Sequence, residues 1–369
     1  MSDTLQIMVL PTTVAEGLPQ VFFDDCGIWR ETSSLLVTQT VRQEVETFLS
    51  DVMKQVGQSP PTPFPAGTMA FRNRFMVLLR TLLPPDVRNA MKRSADEADQ
   101  AQSARPQLNI FFRGSTEWIP WELLHDGTNY FGVRYAVSRL PIVPQATQVR
   151  PPRHQLVRKV YNLLARDVLQ DPDLAHWQST FTPYAQNAEW ECRFPAAGGT
   201  NYPTLTQLDD AKAADIIHVT CHGGMKDSGQ SGYFWTLDHQ HRNFIEYRIT
   251  TGVAQATEFS QRPLVFGNAC LSAAAQSTDL TAPQGFGGSF MIGGALNFVG
   301  TLAPITKTMA VTFAKRFYAR LFGSAGQPAL PIGEALRATK ESFAAENYPD
   351  PSYLFYCLYG PCDSTYKPE

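Results

Sequence analysis

Two stretches of this sequence hold residues that could do chemistry together. IIHVTCHGG (216–224) runs from an apolar segment into His222 and a glycine pair, and LVFGNACLSA (264–273) runs from another into Cys270. A cysteine nucleophile needs a nearby base or imidazolium to hold it as a thiolate, and a histidine on an adjacent strand supplies one. Small residues around Cys270 leave room for a peptide. The amides of Gly223 and Cys270 are candidate oxyanion donors, because both follow a strand. Taken alone, Cys270 reads as a small core residue closing a buried strand; the pair is what points to catalysis.

Chain order narrows the chemistry. All seven histidines lie at or before His241, so a cysteine followed downstream by its histidine is excluded for Cys270. The CHGG stretch could suggest an α/β-hydrolase oxyanion loop, but GGSFM (287–291) is no complete nucleophile elbow and no histidine follows it. Histidine first and cysteine second, about 50 residues apart, is the caspase-type order. Cys221 alternates to the opposite face of its strand and reads as core, and His218 reads as buried packing. A zinc site on Cys221, His222 and Cys270 lacks a recognisable ligand spacing.

The elements that must position this pair alternate between strand and helix. LQIMVL (5–10), RPQLNIFFRG (105–114), DIIHVTCH (215–222), RPLVFGNACLSA (262–273), LNFVGTLAPI (296–305) and LFYCLYG (354–360) read as strands or strands with their loops. YFGVRYAVSRLPIV (130–143) reads as one or two short strands, and LVRKVYNLLARD (156–167) fits strand or helix. Helical spacing covers 38–56, 71–83, 308–323 and 331–348, with Pro84–Pro85 and Gly323 as stops. Residues 86–105 look polar, helical and exposed, with Arg88, Lys92, Arg93 and Arg105 on a solvated face that an upstream protease could cut. The alternation predicts an α/β fold with a doubly wound, mostly parallel sheet flanked by helices. Its ligands would bind beyond the carboxyl ends of the strands. QVRPPRHQ (148–155) reads as a linker, which divides the chain into an N-terminal, non-catalytic part (1–146) and a catalytic part (147–369).

With these stretches in hand, the sequence resembles the CHAT-domain peptidases, caspase-like cysteine proteases related to separases, metacaspases and gingipains. The resemblance covers residues 105 to 362. It rests on WIPWELLHDG, ADIIHVTCHGG, RPLVFGNACLSA, GGSFMIGGALNFVGTLAP, and FAKRFYARLFG with IGEALRATKESF, in that order. By position, it implies that His222 is the catalytic histidine, Cys270 the nucleophile and Gly223 an oxyanion-hole glycine. Where family members often carry tryptophan and a later aspartate after a GT dipeptide, this chain has GTLAPITK. The acid that would bind a basic P1 side chain therefore has Asp279 and Glu258 as its candidates. The family further implies a bacterial endopeptidase that cleaves partner proteins after a basic residue, arginine first. It would be switched on by an upstream protein or protease in a defence or programmed-death system. A catalytically silent scaffold in a signalling complex is the alternative.

Composition agrees with such a chain and limits others. The 369 residues are 43% hydrophobic, enough for a large core, and only 18% charged, which hints at partner surfaces. A formal net charge of -3 with no long basic run argues against direct nucleic-acid binding. The N-terminus lacks the pattern of a signal peptide. The uncharged stretch 285–305 contains six glycines and reads as a small-residue helix running into a buried strand, not as a membrane span. Six cysteines without CxxC spacing suggest reduced thiols in a cytoplasmic protein. The dyad chemistry calls for no metal or organic cofactor.

Overall fold

The computed structural model of the chain describes residues 4–10, 20–25, 28–34, 39–56, 69–101, 105–112, 117–142, 154–169, 179–184, 191–193, 205–225, 233–238, 248–274, 285–324 and 326–369. The N-terminal part contains β1 (Thr4–Leu10), β2 (Gln20–Asp25), β3 (Ile28–Ser34), β4 (Gln107–Phe112) and β5 (Ala136–Pro141). There follow β6 (His154–Val157), β7 (Lys159–Leu164), β8 (Glu191–Arg193), β9 (Ile216–Thr220), β10 (His222–Met225), β11 (Tyr233–Thr236) and β12 (Arg248–Thr250). The chain ends with β13 (Leu264–Asn268), β14 (Asn297–Thr301), β15 (Tyr356–Tyr359) and β16 (Thr365–Pro368).

Eleven of these strands form one sheet in the order β3-β2-β1-β4-β5-β15-β14-β13-β9-β7-β8. The run β14-β13-β9-β7-β8 is parallel throughout. β15 pairs antiparallel with β14 and parallel with β5, so β5, β4 and β1 run the opposite way to the β14–β8 block. The mostly parallel sheet expected from the sequence is present, and the N-terminal part belongs to the same sheet. The expected division at 146/147 falls outside the described residues.

Strand sequences explain the burial. β9, β13 and β14 are buried at every position, and their apolar side chains alternate between two cores. Ile216, Leu264, Phe266 and Val299 enter one core; Ile217, Val219, Val265 and Phe298 enter the other. Such two-sided burial is why these runs are continuously apolar. Helix Lys307–Phe322 covers the first face with Met309, Phe313, Phe317 and Leu321, spaced four apart. Each such phenylalanine contributes roughly 2 kcal/mol by leaving water. Helix Phe286–Ile292 covers the second face. It and β14 occupy most of the uncharged stretch 285–305. No helix among the described residues is long and apolar enough to cross a membrane.

Some expectations are corrected. Residues 131–134 form a buried helical turn before β5, closed by the Arg134 and Tyr135 amides donating to the Tyr130 and Phe131 carbonyls. Residues 156–167 take up the end of β6, all of β7 and the start of a helical turn at Arg166. The 86–105 region is not simply an exposed face: helix Pro85–Ala101 buries Val87, Met91, Ala95 and Ala98, while Arg105 pairs with Asp99 and Glu341. Lys92 and Arg93 are exposed as expected. Among the described residues Cys221, Cys270, Cys357 and Cys362 are free thiols.

Candidate active site

Cys270 follows the carboxyl end of β13, the strand flanked by β9 and β14. Asn268 closes that strand and is tied on both sides of its amide. Its Nδ2 donates to the Ala310 carbonyl at 3.0 Å, and its Oδ1 accepts from the Tyr356 hydroxyl at 2.8 Å. The turn beyond is fixed by two hydroxyls. Ser272 Oγ donates to the Gly267 carbonyl and accepts from the Thr301 amide, both at 2.7 Å. Thr301 Oγ1 donates to the Ala269 carbonyl at 2.7 Å. Leu271 sits at φ 57°, a left-handed conformation that costs a leucine about 1 kcal/mol or more. This sharp reversal directly after Cys270 sets its thiol at the end of the strand and not in the core. The sulfur lies 3.7 Å from the Ile305 carbonyl, half-buried, and burial raises the thiol pKa.

The histidine arrives differently from the sequence reading. β9 stops at Thr220, and His222 opens β10, the first strand of a separate antiparallel sheet β10-β11-β12. Cys221 is buried and His222 exposed, which is the opposite-face relation the alternation predicts. Gly223 then brings the hairpin backbone onto the turn at Cys270. A Cβ at this position would lie 1.7 Å from the Cys270 carbonyl oxygen and 3.2 Å from its nitrogen, so no side chain fits.

His222 and Cys270 line one pocket of roughly 180 Å³ at the carboxyl ends of β7, β9, β13 and β14. The sequence reading missed its other walls: Val168 beyond β7, and Ile305, Thr306 and Lys307 beyond β14. The last three belong to GTLAPITK, the segment that departs from the family pattern. Thr306 caps the following helix by accepting from the Met309 amide, a signal that TK before an apolar periodic run carries in the sequence.

Among the described residues, Glu258 and His218 do not join the pocket. Glu258 is exposed and precedes β13, at the amino end of the strand that presents Cys270 from its carboxyl end. Proximity along the chain had suggested it, but a strand separates its two ends. Asp279 lies outside the described residues, as do His239 and His241. His218 is core: its ring bonds Tyr318 and Thr220 and stacks on Phe266, and burial pushes its pKa down to about 3.

No curated protein matches the chain. Saccharomyces cerevisiae separase, solved with securin, superposes with a TM-score of 0.44 at 12% identity over 90% of this chain and 23% of that one. Gingipain R, described as an Arg-specific cysteine proteinase, gives a TM-score of 0.48 at 10% identity over 89% of this chain and 76% of that one. The chain thus spans under a quarter of the length of the separase. The fold is a mostly parallel sheet flanked by helices. The family model of the CHAT domain matches residues 74–356, beginning within the N-terminal part. By a match over more than half of its length, this chain belongs to the CHAT-domain family.

Proposed function

We propose that the chain is a cysteine endopeptidase whose dyad is His222 and Cys270. The observation that carries this reading is the shared pocket, with the Gly223 backbone packed directly on the Cys270 main chain. His222 takes the thiol proton, and the thiolate attacks the scissile carbonyl. The Gly223 and Cys270 amides serve the developing oxyanion. The C–N bond breaks with the proton passing from His222 to the leaving amine, leaving a thioester on Cys270. Water, deprotonated by His222, then hydrolyses that thioester and frees the thiol.

The substrate is a partner protein. The raised thiol pKa suits a chain that waits for an upstream activator, and the family resemblance suggests a bacterial defence or programmed-death setting. Cleavage after a basic residue rests on the resemblance alone, because no described residue of the pocket supplies a carboxylate.

The test is mass spectrometry of candidate partners incubated with the wild-type chain or with Cys270→Ala. Cleavage that depends on Cys270, with partner binding intact in the variant, is expected. A variant indistinguishable from wild type in every readout would sink the enzyme reading and favour a silent scaffold.

A further inference from the structure

Thr301 closes β14 and spends all three of its polar groups on the turn that carries Cys270. Its amide donates to Ser272 Oγ at 2.7 Å, its hydroxyl donates to the Ala269 carbonyl at 2.7 Å, and its carbonyl accepts from the Ala273 amide at 2.8 Å. Gly300 permits this approach, since a Cβ there would meet Ser272 Oγ at 2.8 Å. The antiparallel partner of Thr301 in β15 is Tyr356, whose hydroxyl holds the Asn268 side chain. Thr301 and Ser272 are both fully buried, so neither can touch a substrate in the pocket.

The hydroxyl contact matters because of what shares its peptide unit. The Ala269 carbonyl and the Cys270 amide lie in one planar trans group and point in opposite directions. A bond that pins the oxygen therefore also aims the N–H. The turn itself gives that oxygen only a longer bond, from the Ser272 amide at 3.3 Å.

We propose that the Thr301 hydroxyl is a positioning group, which aims the Cys270 amide at the oxyanion that forms during acylation. This rests on the peptidase reading. Thr301 takes no part in bond making or breaking; it acts through the Ala269–Cys270 peptide, because an amide turned away from the developing charge loses its effect.

The experiment compares two reactions of Cys270 in the full chain at one pH. With p-nitrophenyl acetate, the thiolate attacks the carbonyl carbon and the oxygen takes up the negative charge. The ester C–O bond then breaks, p-nitrophenolate leaves and an acetyl thioester remains. With iodoacetamide, the thiolate displaces iodide from a methylene carbon and no oxyanion forms. Both reactions use the same thiolate, so the ratio of their rates does not depend on its population. Mass spectrometry follows both, with Cys270→Ala as the blank. Thr301→Val keeps the side-chain shape and removes the hydroxyl. It should slow acylation about tenfold, less than the loss of a whole oxyanion donor, and leave alkylation unchanged. Thr301→Ser should restore the wild-type ratio. An unchanged ratio in Thr301→Val, or an equal loss in both reactions, would overturn the proposal and leave the peptidase standing. Should Thr301→Val not fold, Thr301→Ala removes the same hydroxyl and is judged by the same ratio. Iodoacetamide labelling of wild-type Cys270 with no acylation would overturn the peptidase reading itself, and this proposal with it.

Discussion

The indole of Trp235 lies against Gly267, so close that a Cβ there would come within 2.7 Å of the ring. Trp235 is in β11, opposite Gly223 of β10, while Gly267 is in β13, three residues before Cys270. One side chain therefore ties the hairpin that carries His222 to the strand that presents Cys270.

Loss of that tie should be costly. Trp235 is fully buried and stacks on Phe286 with ring centroids 4.3 Å apart. Trp235→Ala is expected to lower unfolding free energy by about 3–5 kcal/mol, and Gly267→Ala by about 1–3 kcal/mol through overpacking. Urea melts of both variants measure this. Wild-type midpoints for Trp235→Ala would remove the anchoring role.

The reactivity of Cys270 should report latency. Burial raises its pKa, so at pH 7 it carries less thiolate than a free cysteine. Iodoacetamide alkylation, followed by mass spectrometry, should be slow at pH 7. It should climb about tenfold per pH unit until the raised pKa is passed. A rate already level below pH 7 would mean that an imidazolium holds the thiolate without an activator, and the latent reading would fail.

Legibility in the sequence followed the strength of local signals. β9, β13 and β14 were readable because two-sided burial makes their runs continuously apolar, and helix Lys307–Phe322 because its apolar side chains repeat with helical spacing. β10 (HGGM) and β12 (RIT) are short and carry no such pattern, so the side sheet was invisible and His222 was drawn as the end of β9. The pocket wall at Ile305–Lys307 is remote in sequence from Cys270 and meets it only because β13 and β14 are parallel neighbours. Glu258 misled for the converse reason, being near in sequence and at the wrong end of the strand.

Acid should weaken the fold through His218. Its folded pKa is pushed down to about 3, so between pH 6.5 and 3 the unfolded chain binds the extra proton. That stability is present in full above pH 6.5 and is lost on acidification, at about 1.4 kcal/mol per pH unit. His125, pushed down to about 4 by burial, acts in the same direction. The His218→Gln variant should lose stability between pH 6 and 4.5 with a slope shallower by close to one proton. Urea unfolding at several pH values measures it, and an unchanged slope would exclude His218 as the acid-sensitive group.

A buried ion pair holds Arg139, the β5 residue that faces Tyr359 of β15 where the two halves of the sheet meet. Arg139 of β5 donates to both carboxylate oxygens of Glu122, at 2.9 and 2.5 Å, with side-chain exposures of 1% and 0%. It also donates to the carbonyls of Glu117 and Ile119 at 2.6 and 2.8 Å. Arg139→Met would strand the Glu122 charge in the interior, and a loss of about 3–5 kcal/mol is expected. Adding Glu122→Leu removes that charge. Lys340, buried nearby with its pKa lowered to about 8, then loses the attraction of Glu122 and can shed its proton. The double variant should recover part of the loss but not all, because the two carbonyls still lack their donor, a deficit of about 2 kcal/mol. Urea unfolding of the two single variants and the double variant gives the coupling energy. Strict additivity of the two single losses would show that Arg139 acts through the carbonyls alone.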